Sequence, residues 1–167
     1  SVLAASASAG NVTLSKIPPG LTFLGTSGSS SGLRAVMSLS PRFRNDTLQL
    51  YVYADSNPDA GFGLNAWSLR LNWDPSVLAL DSFATSSLYS TPTTNQDDTT
   101  GNLTVAVVGT QSSTSLSDVT NEFVYLLTVT FSVRSDAGVN TTHANVLYLT
   151  ALEFLNQGNF KFVDNLR

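Results

Sequence analysis

The chain has 167 residues, 42% of them hydrophobic and 12% charged, with a net charge of −4, no Cys and a single His. That length and apolar share fit one domain with a real core and exclude a disordered chain. Eight scattered cations exclude the basic cluster that nucleic acid needs and give anionic membranes little to hold, and the lack of Cys removes disulfides, thiolate metal sites and thiol nucleophiles.

In chain order, the opening SVLAASASAG carries Ala-Ser-Ala triplets like those at signal-peptidase sites, without a charged segment and long apolar stretch before them. The chain also lacks an initiator Met, so it reads as a mature or excised piece of a longer polypeptide. Residues 1–32 are expected to form one or more N-terminal strands, with a weak candidate at 21–24. They end in the flexible, low-complexity Thr26-Ser27-Gly28-Ser29-Ser30-Ser31-Gly32. Residues 33–167 are expected to be the main domain. Gly28-Ser29-Ser30-Ser31-Gly32 matches the G-x-S-x-G nucleophile elbow in letters only, because that motif needs a strand before it and a helix after it.

Period-2 alternation dominates the remainder of the chain. After a weak strand at 33–39, the run 47–53 puts Leu48, Leu50 and Val52 on one side and Tyr51 and Tyr53 on the other. The polar stretch 55–61 is a loop. Its Asp55-x-Asn57-x-Asp59 has the alternating oxygens of a calcium site, and these three residues are the candidate metal ligands. Gly61 falls at position seven rather than six and Ala66 stands at position twelve in place of Glu, so a polar hairpin loop is the preferred reading. In 66–73, Trp67, Leu69, Leu71 and Trp73 face in, and Ala66, Ser68, Arg70 and Asn72 face out. Asp74-Pro75 is a turn, 77–83 a weaker strand and Asp97-Asp98 an acidic pair in a Thr-rich loop. Residues 102–108 hide Leu103, Val105 and Val107, and 127–133 hide Leu127, Val129, Phe131 and Val133. A short helical turn fits near 119–123, and 146–154 and 160–163 are further strands. About nine or ten antiparallel strands with one wet face each imply an all-β, two-sheet sandwich.

The stretch GLNAWSLRLNWDPSVLALDSF, residues 63–83, resembles the cohesin module. There a strand of alternating aliphatics ends in an aromatic-Asp-Pro-x-Val-Leu turn, here Trp73-Asp74-Pro75-Ser76-Val77-Leu78. Gly101 to Val108 and the YLLTVTFSV of the 123–133 segment follow in the same order as that family's strands. The resemblance covers about residues 33–155. It implies a nine-stranded flattened jelly roll, close in fold to several carbohydrate-binding modules, and a non-catalytic protein-binding role. Cohesins hold dockerins with polar residues, including Asn and Asp, on the outward face of the strand before this turn. The matching positions are Ala66, Ser68, Arg70 and Asn72, without the Asn/Asp pair. The partner implied is another protein of an extracellular assembly rather than a dockerin.

Ser and Thr fill 42 positions, a surface that suits a secreted or cell-surface location. Four glycosylation sequons, at Asn11, Asn45, Asn102 and Asn140, agree with it, Asn140 and then Asn45 being the best acceptors. No run approaches the roughly 18 apolar residues of a membrane span. One His, no Cys and two Glu leave little from which to assemble acid–base catalysis. The expected function is adhesion, scaffolding or another protein–protein contact, with Tyr51, Tyr53, Ser68 and Arg70 as the candidate binding face. The alternative is a carbohydrate-binding module that takes a polysaccharide on exposed aromatics.

Overall fold

The structure, a computed structural model, describes residues 10–15, 21–23, 33–37, 41–55, 64–108 and 123–156. These hold eleven strands and no helix: β1 (Val12–Ser15), β2 (Leu21–Phe23), β3 (Leu33–Met37), β4 (Thr47–Asp55), β5 (Leu64–Trp73), β6 (Leu78–Thr85), β7 (Thr93–Asp97), β8 (Asn102–Val108), β9 (Phe123–Val133), β10 (Thr141–Ala144) and β11 (Leu147–Asn156). The expected linker at 26–32 and the strand at 160–163 lie outside the described residues. So does most of the expected helical turn, whose last residue, Phe123, opens β9.

Alternation in the sequence becomes two stacked skins around one core. Five strands run antiparallel in the order β2-β3-β4-β9-β6, and four in the order β11-β5-β8-β7. The central strands turn their aliphatic sides toward the other sheet, so Leu48 and Leu50 of β4, Trp67, Leu69 and Leu71 of β5, Val105 of β8 and Phe131 of β9 are all buried. The two sheets meet where Trp73 packs edge-on against Phe131, ring centroids 5.5 Å apart at 62°. Burial on this scale is the main stabilising term, at roughly 25 cal/mol per Å² of apolar surface. Together the sheets contain the expected nine strands.

The remaining two strands depart from the all-antiparallel expectation. β1 and β10 run parallel, Val12 opposite Thr141 and Ser15 opposite Ala144. Val12 reaches the core, and its amide bonds the carbonyl of Arg42 at 2.7 Å. The first thirty-two residues therefore supply β1 and β2, which pair with strands of the main domain.

The Trp73-to-Leu78 turn carries the chain from one sheet to the other and ties down that end of the sandwich. The Asp74 carboxylate accepts from the amide and hydroxyl of Ser76, at 2.9 and 2.6 Å, while Val77 and Leu78 donate to the Asp74 carbonyl. Three neighbouring segments are joined to it by main-chain bonds: Trp73 N–H to Gly101 O, Asp74 N–H to Val146 O and Arg134 N–H to Val77 O. Asn45, Asn140 and Asn145 take the left-handed backbone conformation in the nearby turns, a region Asn tolerates better than most residues.

Candidate interaction surfaces

With their inner faces packed together, the sandwich offers two outer skins and an end. On the four-stranded skin the register sets outward residues in rows. Tyr148, Asn72, Asn102 and Asp97 form one row, Thr150, Arg70, Thr104 and Asn95 the next, and Glu153, Ser68, Ala106 and Thr93 the third. The amide of Asn72 donates to Asn102 Oδ1 at 3.2 Å across the first row. Val108 and Tyr148 are more than half exposed here, 55% and 53%. A bulge in β11 between Ala151 and Glu153 turns Leu152 to solvent at the sheet edge.

The small side chains of Ala66, Ser68 and Ala106 leave a hollow of about 270 Å³ in this skin, rimmed by Val108 and Glu153. Under it lies Trp67, whose indole N–H is buried and finds no hydrogen-bond partner among the described residues. Its ring stands edge-on to Tyr89, centroids 5.8 Å apart.

The five-stranded skin is built differently. Gln49, Tyr51 and Tyr53 of β4 lie beside Thr130, Thr128 and Tyr125 of β9. The Tyr51 hydroxyl donates to Gln49 Oε1 at 3.1 Å, and the Tyr125 hydroxyl bonds Thr128 Oγ1. Tyr53 and Tyr125 sit 5.8 Å apart with their rings tilted by 48°. These half-buried tyrosines lie against the sheet and are not coplanar, so they do not form a flat stacking row.

At the end of the sandwich a shallow cleft of about 550 Å³ is lined by Pro75, Ser76, Asp98, Thr99, Arg134 and Asp136. Its polar groups are already engaged: Ser76 with Asp74, Asp98 with Gln96 at 2.7 Å, and Arg134 with Asp136 at 2.9 Å. The Arg134 guanidinium holds the Asp136 carboxyl below the ordinary carboxylate range. Hydrogen bonds from Thr100 and Thr99 do the same for Asp97.

Of the expected binding face, Tyr51 and Tyr53 are on β4 and Ser68 and Arg70 on β5. Those strands belong to different sheets, so the four residues divide between opposite skins and form no single face. Period 2 separates inside from outside but carries no information on sheet membership. Val108, Tyr148 and Glu153 were missed. The parity of Val108 and Tyr148 follows from Val107, Leu147 and Leu149, but Glu153 shares the parity of the buried leucines and faces out only because of the β11 bulge, and the placement of all three beside β5 needs the register. Asp55 closes β4, while Asn57 and Asp59 lie outside the described residues. Among the described residues no three His, Asp or Glu side chains gather in metal-binding distance. His143, the single His of the chain, is half-buried in β10, with Nε2 2.8 Å from the Gly138 carbonyl.

The sequons divide by environment. Asn11 and Asn140 meet, Asn140 N–H donating to Asn11 O at 2.7 Å and Asn11 N–H to Asn140 Oδ1 at 3.3 Å. Asn45 is exposed at the entry to β4, and Asn102 is half-buried in β8.

No protein family and no curated protein sequence matches the chain. Solved cohesin structures do match it in fold. The sixth cohesin of scaffoldin B from Acetivibrio cellulolyticus, solved with a dockerin, is 12% identical, with 89% of this chain and 93% of that one covered and a TM-score of 0.53. The cohesin of OlpC from Clostridium thermocellum, also in a dockerin complex, is 12% identical over 74% and 81%, with a TM-score of 0.53. The third cohesin of ScaC from Acetivibrio cellulolyticus, bound to the ScaB dockerin, is 18% identical over 71% and 81%, with a TM-score of 0.51. The chain has a cohesin-like fold.

Proposed function

We propose that this chain is a non-catalytic protein-binding module of an extracellular or cell-surface assembly, with the outer skin of β11-β5-β8-β7 as its contact surface. The observation that carries this reading is the makeup of that skin. Exposed Val108 and Tyr148 flank rows of hydroxyls and amides, and few charges interrupt them. A low-charge surface with an exposed aromatic suits a protein interface. The similarity in fold to cohesins solved with bound dockerins supports a protein partner. The outward set Ala66, Ser68, Arg70 and Asn72 lacks the pair expected for a dockerin, so the partner is of another kind. Saccharide stacking is the weaker alternative, because the tyrosines of the opposite skin are tilted and tied to their neighbours.

The experiment is a cross-linked pull-down from the source of the protein beside a glycan array. Cross-links concentrated on residues 66–72, 102–108 and 148–153, with no glycan binding, are the expected result. Saccharide binding without a protein partner, or capture lost only on Tyr51→Ala and Tyr53→Ala, overturns the proposal.

A further inference from the structure

The proposed contact skin has one corner with a definite chemistry. Ala66, Ser68 and Ala106 bottom out the hollow, Val108 makes an apolar wall, and the Glu153 carboxylate stands at the rim. Arg70 follows Ser68 by two residues on the same side of β5, about 7 Å along the strand. It is exposed, and among the described residues it makes no hydrogen bond or ion pair. Its cross-strand neighbours, Thr104 and Thr150, carry no charge. By contrast, Arg44 donates to the Ala137 carbonyl and Arg134 to Asp136. The Asp97 carboxylate at the far edge of the skin is turned to the amides of Thr99 and Thr100.

Each half of this corner selects for something different. A hollow with small side chains and an apolar wall accepts one large hydrophobic side chain, the anchor-in-pocket arrangement that dominates interface energies. A guanidinium without a partner, covered by an interface, requires a carboxylate, which it binds through two parallel hydrogen bonds. Glu153 repels a second acid at the hollow and so fixes which end of the partner lies over which group.

We infer that the partner presents a large aliphatic or aromatic side chain to the Ala66–Ser68–Ala106 hollow and, about 7 Å away, an Asp or Glu to Arg70. The inference rests on reading the four-stranded skin as the contact surface. That spacing is two residues along an extended segment or about one turn of a helix.

The test pans a yeast-displayed library of random peptides against the full chain. The expected result is enrichment of peptides that pair a large apolar residue with Asp or Glu two to four positions away. Their binding weakens at least tenfold on Arg70→Glu and on Ala106→Trp, which fills the hollow. Panning on the Arg70→Glu chain itself then enriches Lys or Arg in place of the acid, a switch that misfolding does not produce. Peptides that lack the pair, or that ignore both changes yet are lost on Tyr148→Ala or Asn102→Lys, overturn this inference and leave the skin as the contact surface. No enrichment, or peptides indifferent to all four changes, overturns the contact surface too.

Discussion

A Cβ added to Gly101 would sit 2.1 Å from the carbonyl oxygen of Trp73, and the φ of Gly101 is +72°. Both facts oppose any side chain there: the left-handed backbone costs about 1–2 kcal/mol for most residues, and a collision with main chain cannot be relieved by a rotamer. Gly101→Ala is therefore expected to destabilise the fold by more than about 2 kcal/mol, read as a lower urea midpoint at unchanged slope. Asp97, in the same hairpin turn, makes a pH prediction. Bonds from Thr100 and then Thr99 favour its ionised form, so its folded pKa lies below the unfolded one. The unfolded chain then binds more protons in the acid range. The contribution of Asp97 to stability is complete above about pH 4 and is lost as pH falls through the folded value. Asp97→Asn should flatten that acid limb in urea melts between pH 2 and 5, and a slope unchanged by the substitution contradicts it.

Strands that straddle the core announce themselves in the sequence, and strands that do not are silent. β5 and β8 were legible because every second residue is buried, from Trp67 to Trp73 and from Leu103 to Val107. β7 reads Thr-Thr-Asn-Gln-Asp and is exposed along its whole length, so no face of it carries an apolar signal. β10 is likewise mostly exposed, and its pairing with β1 joins residues more than 120 positions apart, beyond the reach of any local pattern. β9 shows a third case. Alternation assigns Leu127 to the core and Leu126 to solvent, yet both are fully buried, because the register slips beside them between Val52 and Tyr53. Leu126→Ala should accordingly cost about 2–5 kcal/mol, as for a core leucine, in an equilibrium unfolding measurement. A cost under about 0.5 kcal/mol, the usual scale for surface positions, would return Leu126 to the outside.

The whole molecule has one end where the inter-sheet turn, three of the four sequons and the β1–β10 pair gather, leaving both broad skins clear of them. Asn11-Val12-Thr13 and Asn140-Thr141-Thr142 lie side by side, with Thr13 opposite Thr142 in strands about 4.8 Å apart. Two branched sugars starting from neighbouring strands would compete for the same space. Made in a glycosylating host, the folded protein is expected to carry a glycan at Asn45 and at one of Asn11 and Asn140, never both. Asn102, hydrogen-bonded to Asn72 in the four-stranded skin, is expected to stay bare. Peptide mapping by mass spectrometry checks each site, and doubly modified folded material is the adverse result. The same end bears on how little of the sequence the fold dictates. The turn is fastened to its three neighbours by main-chain groups, which every residue type supplies, and few of its contacts demand a particular side chain beyond the Asp74 carboxylate and the bare Gly101. An architecture held this way tolerates wholesale replacement of letters, in keeping with a similar fold in a cohesin that is 12% identical to this chain.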